Sequence, residues 1–181
     1  MPVQRRNPQP LNAQRLEELA LAYVARFATT QAKLQGYLQR KLRERGWDGE
    51  EPPPVEALVS RYADLGYVDD AAWARMKAGS LLRRGYGARR VGEALGQAGI
   101  EEDLRAENRP GEGGQRRAAL VLARRRRFGP FGIEAPDRAR KEKQIAAMLR
   151  AGHSLDIARR IVDASDPDEV QAWAESAWGD D

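Results

Sequence analysis

Apolar residues return at three- and four-residue steps along most of this 181-residue chain, the period of helices with one buried face. Leu16, Leu19, Ala20, Tyr23, Val24 and Phe27 make the first stripe. Thr30 offers an N-cap for the next segment, where Leu34, Leu38 and Leu42 share a face until Gly46 stops it. Pro52, Pro53 and Pro54 cannot lie inside a helix but can start one. Val55, Leu58, Val59 and Tyr62 follow at helical spacing, up to Gly66. Asp69 or Asp70 caps a helix carrying Trp73, Met76, Lys77 and Leu81 that stops at Gly85. A tight turn, Arg84-Gly85-Tyr86-Gly87, then leads to Val91, Leu95 and Gly99. A short helix is predicted from Glu101 to Glu107, and Asn108 to Gly114 reads as the clearest linker. Ala119, Leu122 and Ala123 mark another helix, broken at Gly129-Pro130-Phe131-Gly132. Asp137 opens a helix with Ile145, Met148 and Leu149 that ends at Gly152, and Ser154 caps the last one, with Leu155, Ala158, Ile161 and Val162. No segment shows the alternation or β-branched density of a strand. The fold predicted is all-α.

Three of the stops share a local pattern. Gly46, Gly99 and Gly152 lie at equal intervals of 53 residues. Each has an apolar residue four positions earlier (Leu42, Leu95, Met148) and a ring or branched residue just after (Trp47, Ile100, His153). A left-handed C-cap accepts glycine without a Cβ clash, and the next residue folds back on the helix. A unit of helix, turn, helix, glycine stop and short third helix, used three times, accounts for the pattern. Units that each bury little alone would stack into an elongated, curved array.

Charge adds a direction to this picture. The net charge is +4, but thirteen basic residues face only four acids between Gln115 and Arg160. After Arg160 there is no Lys or Arg, and seven acids follow, ending in Asp180 and Asp181. A basic body with an acidic tail suits a polyanion or an acidic protein as partner, while solvated helix faces explain the same charge equally well. The absence of cysteine removes disulfides and thiolate chemistry. No apolar run approaches the roughly 20 residues that span a bilayer, and the first ten residues lack the apolar core of a signal peptide. A cytoplasmic, membrane-free protein is the expectation.

Catalytic readings fail on inventory. His153 is the only histidine, so a histidine pair cannot hold a metal, and its place at a helix end makes it a packing or capping residue. Gly85-x-Gly87 is a turn rather than a phosphate loop. Asp69 and Asp70, adjacent at a helix start, cap free amides more readily than they share a proton. No nucleophile has a base beside it. The expectation is a protein that is not an enzyme and has no cofactor. Trp73 reads as core, and Tyr86 packs on its own unit unless it stacks on a base or partner. Trp173 and Trp178 in the acidic tail either cover an end of the array or meet a partner.

The stretch Leu65-Gly66-Tyr67-Val68-Asp69-Asp70-Ala71-Ala72-Trp73-Ala74, followed by Arg84-Gly85-Tyr86-Gly87 and Gly99-Ile100, resembles the hallmark of the RecX family. Leu149 to Val162 resembles that family's last unit, and the resemblance runs from about Leu11 to Val162. It implies three tandem three-helix modules, binding in the groove of the RecA–DNA filament, and inhibition of filament growth, ATP turnover and strand exchange within recombination, DNA repair and the SOS response. It also implies direct contact with single- or double-stranded DNA in some members, and here a monomer. Three features depart from the family: His153 in place of a bulky aromatic, which would loosen the third unit; a second helix about one turn longer than usual; and connections lengthened by the proline triplet and the glycine-rich linker.

On this reading residues 1–10 are a disordered lead, 11–66 the first repeat, 67–108 the second, 109–114 a linker, 115–163 the third repeat and 164–181 an acidic tail. The partner-facing candidates are Arg83, Arg84, Tyr86, Arg89 and Arg90 about the central turn, and Arg124, Arg125, Arg127, Arg138, Lys141, Arg159 and Arg160 beyond it. Arginine forks suit phosphates and carboxylates alike, so these residues do not choose between DNA and an acidic protein face. Two further readings fit the residues: a helix-turn-helix-like module acting on DNA alone, and a helical scaffold for another acidic partner.

Overall fold

The structure, a computed structural model, describes residues 9–177. Most of the expected lead, and Trp178 with the end of the acidic tail, lie outside the described residues. The described residues form ten α-helices and one 3-10 turn, with no strand. The helices are α1 (Ala13–Arg26), α2 (Gln31–Arg45), α3 (Val55–Asp64), α4 (Asp70–Arg83), α5 (Ala88–Gln97), α6 (Glu102–Glu107), α7 (Glu112–Arg126), α8 (Arg138–Arg150), α9 (Leu155–Val162) and α10 (Pro167–Glu175). The 3-10 turn, Gly129–Phe131, lies between α7 and α8.

Local chemistry starts and stops these helices where the pattern predicts. The Thr30 hydroxyl accepts the Lys33 N–H at 3.2 Å and Asp137 accepts Arg140 N–H at 2.8 Å, each closing an otherwise unpaired first turn. Asp69 accepts the Ala72 N–H at 2.8 Å, whereas the neighbouring Asp70 accepts Gln31 N–H at 2.9 Å, at the start of another helix. The two carboxylates are therefore caps of two different helices. Gly46, Gly99 and Gly152 all adopt positive φ, at 80°, 74° and 96°.

The helices segregate into two compact units. Unit 1 holds the chain up to Trp73 together with Ala98–Ile100; unit 2 holds Ala74–Gln97 and the chain from Glu101 onward. In unit 1, Leu16 and Ala20 of α1, Leu34 and Leu38 of α2, and Val55, Leu58, Val59 and Tyr62 of α3 close a core with Leu11 and Val68. A single parallel bridge between Leu11 and Trp47 ties the start of α1 to the glycine stop of α2. Lys33 Nζ sits 4.2 Å from the centre of the Trp73 ring, which is buried as expected of core.

In unit 2, Ala119, Leu120, Leu122 and Ala123 of α7 pack with Met148, Ala158, Ile161 and Val162. Val170 and Ala174 complete this core, so the acidic tail is not merely a solvated extension: Asp166 and Pro167 start a helix, α10, that lies on α7. The predicted linker changes for the same reason. Its last three residues, Glu112 to Gly114, form the first turn of α7, and a Cβ on Gly113 would meet the Ala177 carbonyl at 2.5 Å. Glycine there serves close helix packing rather than flexibility.

Candidate partner-binding surface

Unit 2 is organised about the turn between α4 and α5. After Arg83 the chain reverses through Gly85, at φ 82°, with Tyr86 N–H returning to the Leu81 carbonyl at 3.0 Å. Gly87 N–H then donates to the Ala151 carbonyl at 2.9 Å, and Arg89 N–H to the Gly152 carbonyl at 3.2 Å. The two backbones touch: a Cβ on Gly87 would overlap the Gly152 carbonyl, and one on Gly152 would lie 2.5 Å from Arg90 N. A Cβ on Gly85 would meet Leu122 N of α7 at 2.9 Å. The turn is held from two directions at once, and only glycine fits its contact points.

His153 fastens the same joint. It is 5% exposed, and its Nε2 lies 2.9 Å from the Gly85 carbonyl. The carbonyl can only accept, so Nε2 carries the proton and Nδ1 is bare; that tautomer follows from geometry. Nδ1 has no hydrogen-bond partner. Burial lowers the imidazole pKa below its ordinary 6.5, and the bond to Gly85 partly opposes the shift. Instead of loosening this unit, the substituted histidine ties it.

The structure divides the arginines that the sequence grouped together. Arg89 pairs with Glu93 and donates to the Leu149 carbonyl at 2.8 Å, while Arg90 lies 3.4 Å from Glu93. Arg124 donates to Gln171 of α10 and stands over the Phe131 ring at 5.7 Å. Arg138 pairs with Glu142 at 3.2 Å, Lys141 with Asp163 at 3.0 Å and Arg160 with Glu169 at 2.8 Å. These six are already committed within the fold. Arg83, Arg125, Arg127 and Arg159 are exposed and form no ion pair among the described residues. Arg84 lies over the Tyr86 ring at 5.3 Å, so that half-buried tyrosine supports an arginine at the turn. Arg127 also ends α7 in the left-handed region, at φ 56°, where glycine is the usual occupant.

In unit 1 a cluster emerges that the stripe of apolar residues concealed. Tyr23 and Tyr37 stack at 4.2 Å with ring planes 17° apart, and Phe27 lies 5.3 Å from Tyr23 with its ring tilted by 51°. Phe27 is 54% exposed. The sequence placed it in the core stripe of α1, but α1 ends at Arg26 and Phe27 takes extended geometry, φ −134° and ψ 125°. That turns its ring out of the helical register. Arg40 and Lys41 stand 5.5 and 5.9 Å from the Tyr37 ring centre.

Among the described residues, His, Asp and Glu form no group of three able to hold a metal, and no helix is long and apolar enough to cross a membrane. An open groove of about 410 Å³ along α5 and α6 is lined by Val91, Gly92 and the Arg105–Glu102 pair.

No family model matches the chain. Its curated relatives speak with one voice. Regulatory protein RecX of Myxococcus xanthus is 32% identical over 169 residues, covering 88% of this chain and 90% of that protein. Regulatory protein RecX of Agrobacterium fabrum is 30% identical over 137 residues, covering 74% and 73%. The crystal structure of RecX from Lactobacillus salivarius shares the fold, with a TM-score of 0.66 at 18% identity, over 85% of this chain and 96% of that one. Identity of 32% and 30% to two of these proteins, over most of this chain and of each of them, means that the chain belongs to the RecX family of regulatory proteins.

Proposed function

We propose that this protein binds the RecA–DNA filament and restrains its growth, ATP turnover and strand exchange, by steric and electrostatic contact and without catalysis. The observation that carries this reading is the joint of unit 2. Its turn is fixed by α7 on one side and the Gly152 stop on another, and it leaves Arg83 and Arg84 exposed with no carboxylate partner among the described residues. Arginines anchored at a rigid turn lose less freedom on binding than arginines on a loose loop. Their forks match the carboxylates of a protein subunit and the phosphates of DNA, and a nucleoprotein filament presents both. Arg125, Arg127 and Arg159 add unpaired charge in the same unit. In this reading the chain acts as a cytoplasmic monomer with no cofactor.

A binder alters a filament only through different affinities for its growing and arrested states. Substoichiometric protein is expected to lower the single-stranded-DNA-dependent ATPase of RecA. The double substitution Arg83→Glu and Arg84→Glu should weaken that inhibition about tenfold, the worth of one charge-assisted contact. An ATPase unchanged at saturating protein would defeat the proposal. The free arginines also favour a second reading, in which the chain acts on DNA alone. That reading requires a steep fall of affinity with salt and no capture of RecA from nuclease-treated solution.

A further inference from the structure

We propose that the cluster of Tyr37, Tyr23 and Phe27 in unit 1 is a stacking platform for unpaired nucleobases. Tyr37 and Tyr23 stack at 4.2 Å, Phe27 leans on Tyr23 at 5.3 Å with its plane tilted by 51°, Arg40 and Lys41 stand by Tyr37, and the exposed ring is Phe27. A phenylalanine more than half exposed at the edge of such a cluster contributes little to the core of its own unit. The core closes beneath it through Leu16, Ala20, Leu34 and Leu38, and Phe27 is not among the residues packed against it. What the open ring offers is a flat, hydrophobic, polarisable face, which a base fills with the geometry the tyrosines already use between themselves.

The surroundings choose the occupant. A protein hot spot is an aromatic anchor within an apolar, desolvated patch. Here the cluster is flanked by cations instead: Arg26 next to Phe27, exposed and without an ion pair among the described residues, and Arg40 and Lys41 at the other end. Glu44 binds the last two, at 3.7 and 2.7 Å; the Lys41 hydrogen bond, aided by the neighbouring charges, holds its carboxyl below the usual range, and one carboxylate against two cations leaves an excess of positive charge. Rings that take bases, with cations spaced for the phosphates between those bases, describe a single-stranded nucleic acid. Duplex DNA keeps its base faces stacked on one another and would not occupy the open ring.

The proposal stands apart from the RecA reading, and its test contains no RecA. Full-length protein is titrated, by fluorescence anisotropy, with a labelled oligothymidylate and with an abasic strand of the same length and charge. The wild type is expected to prefer the strand that carries bases. Phe27→Ala should remove about tenfold of affinity for that strand and leave the abasic strand unchanged, while Phe27→Trp keeps the preference. Phe27 is exposed, so both variants are expected to fold, and far-ultraviolet circular dichroism verifies it. Equal wild-type affinity for the two strands overturns the proposal, as does a preference that survives Phe27→Ala.

Discussion

The molecule uses its repeated glycine stop in two ways. In unit 1 the Ala98–Ile100 segment is received by a side chain: the Thr30 hydroxyl, fully buried, donates to the Ala98 carbonyl at 2.6 Å while also capping α2. In unit 2 the corresponding stop at Gly152 is received mainly by backbone, through the Gly87 and Arg89 amides, with the His153 ring and the Arg89 side chain, which reaches the Leu149 carbonyl, as side-chain ties. A hydroxyl can hold a carbonyl while its own backbone stands off. Amides that must reach the facing carbonyls themselves bring two main chains into contact, and leave no volume for a Cβ. The first arrangement hangs on one oxygen, and a Cβ on its glycine, Gly99, would meet a side chain, Ala32 Cβ at 2.2 Å. The second is held chiefly by backbone, and a Cβ on Gly87 or Gly152 would meet main chain at 2.4 and 2.5 Å.

Adding that carbon should have the largest effect. Gly87→Ala forces the Gly152 carbonyl away and breaks the pairing of both backbones, so a loss of about 3 kcal/mol in urea unfolding is expected. Gly46→Ala is the natural control. Gly87 has no positive φ, so contact alone excludes its Cβ; Gly46, at φ 80° and ψ 173° with nothing within 4 Å of its Cβ position, is the opposite case, where only a backbone penalty of about 1 to 3 kcal/mol applies. A Gly87→Ala variant as stable as the wild type would mean that the two backbones part without cost and that contact does not require glycine at this position.

Thr30→Val reverses the comparison. It preserves shape in the joint of unit 1, removes the cap of α2 and leaves the Ala98 carbonyl without its donor. A cost of about 2 kcal/mol is expected from the lost cap and the buried unpaired group together, and Thr30→Ser should recover most of it. A neutral Thr30→Val would show that the hydroxyl is incidental and that packing alone seats the stop.

This contrast also explains what could be read from one dimension. Helix boundaries are local events, and so Thr30, Asp137, Ser154 and the three glycine stops announced themselves by residue type and spacing. The backbone joint was visible as Gly85-x-Gly87 with Gly152, because geometry that excludes Cβ leaves glycine in the sequence. The tail was misjudged because seven acids outweighed Val170 and Ala174, whose spacing places them on one face of α10, and the buried Ala177 just beyond it. Arginine pairing was illegible for a different reason. Arg124 meets Gln171 47 residues away, and Lys141 meets Asp163 22 away; no local pattern encodes such partners. Phe27 was hidden by a single residue: had α1 run one position further, its ring would have joined the stripe that the spacing predicts.

The smallest expected difference between the two joints is in their response to acid, and it concerns one proton. Thr30 does not titrate, so the joint of unit 1 is indifferent to mild acidification. His153 is neutral in the folded chain because burial depresses its pKa below the 6.5 of the unfolded chain. As pH falls through 6.5 the unfolded chain takes up a proton that the folded chain refuses, and stability declines until the folded pKa is passed. Above 6.5 the full stability is present. From pH 7 to pH 6 the loss attributable to this group is at most about 0.7 kcal/mol, whatever the size of the shift, because only one site is involved. His153→Gln keeps an N–H able to reach the Gly85 carbonyl but cannot titrate. Stability curves of wild type and His153→Gln should therefore run parallel above pH 7 and converge or cross below 6.5, as only the wild type loses ground. Amide exchange should place that loss at Gly85 to Arg89 and not at Thr30 to Lys33. Parallel curves throughout would mean that the imidazole accepts its proton in place, and that the joint of unit 2 is no more sensitive to acid than its hydroxyl counterpart.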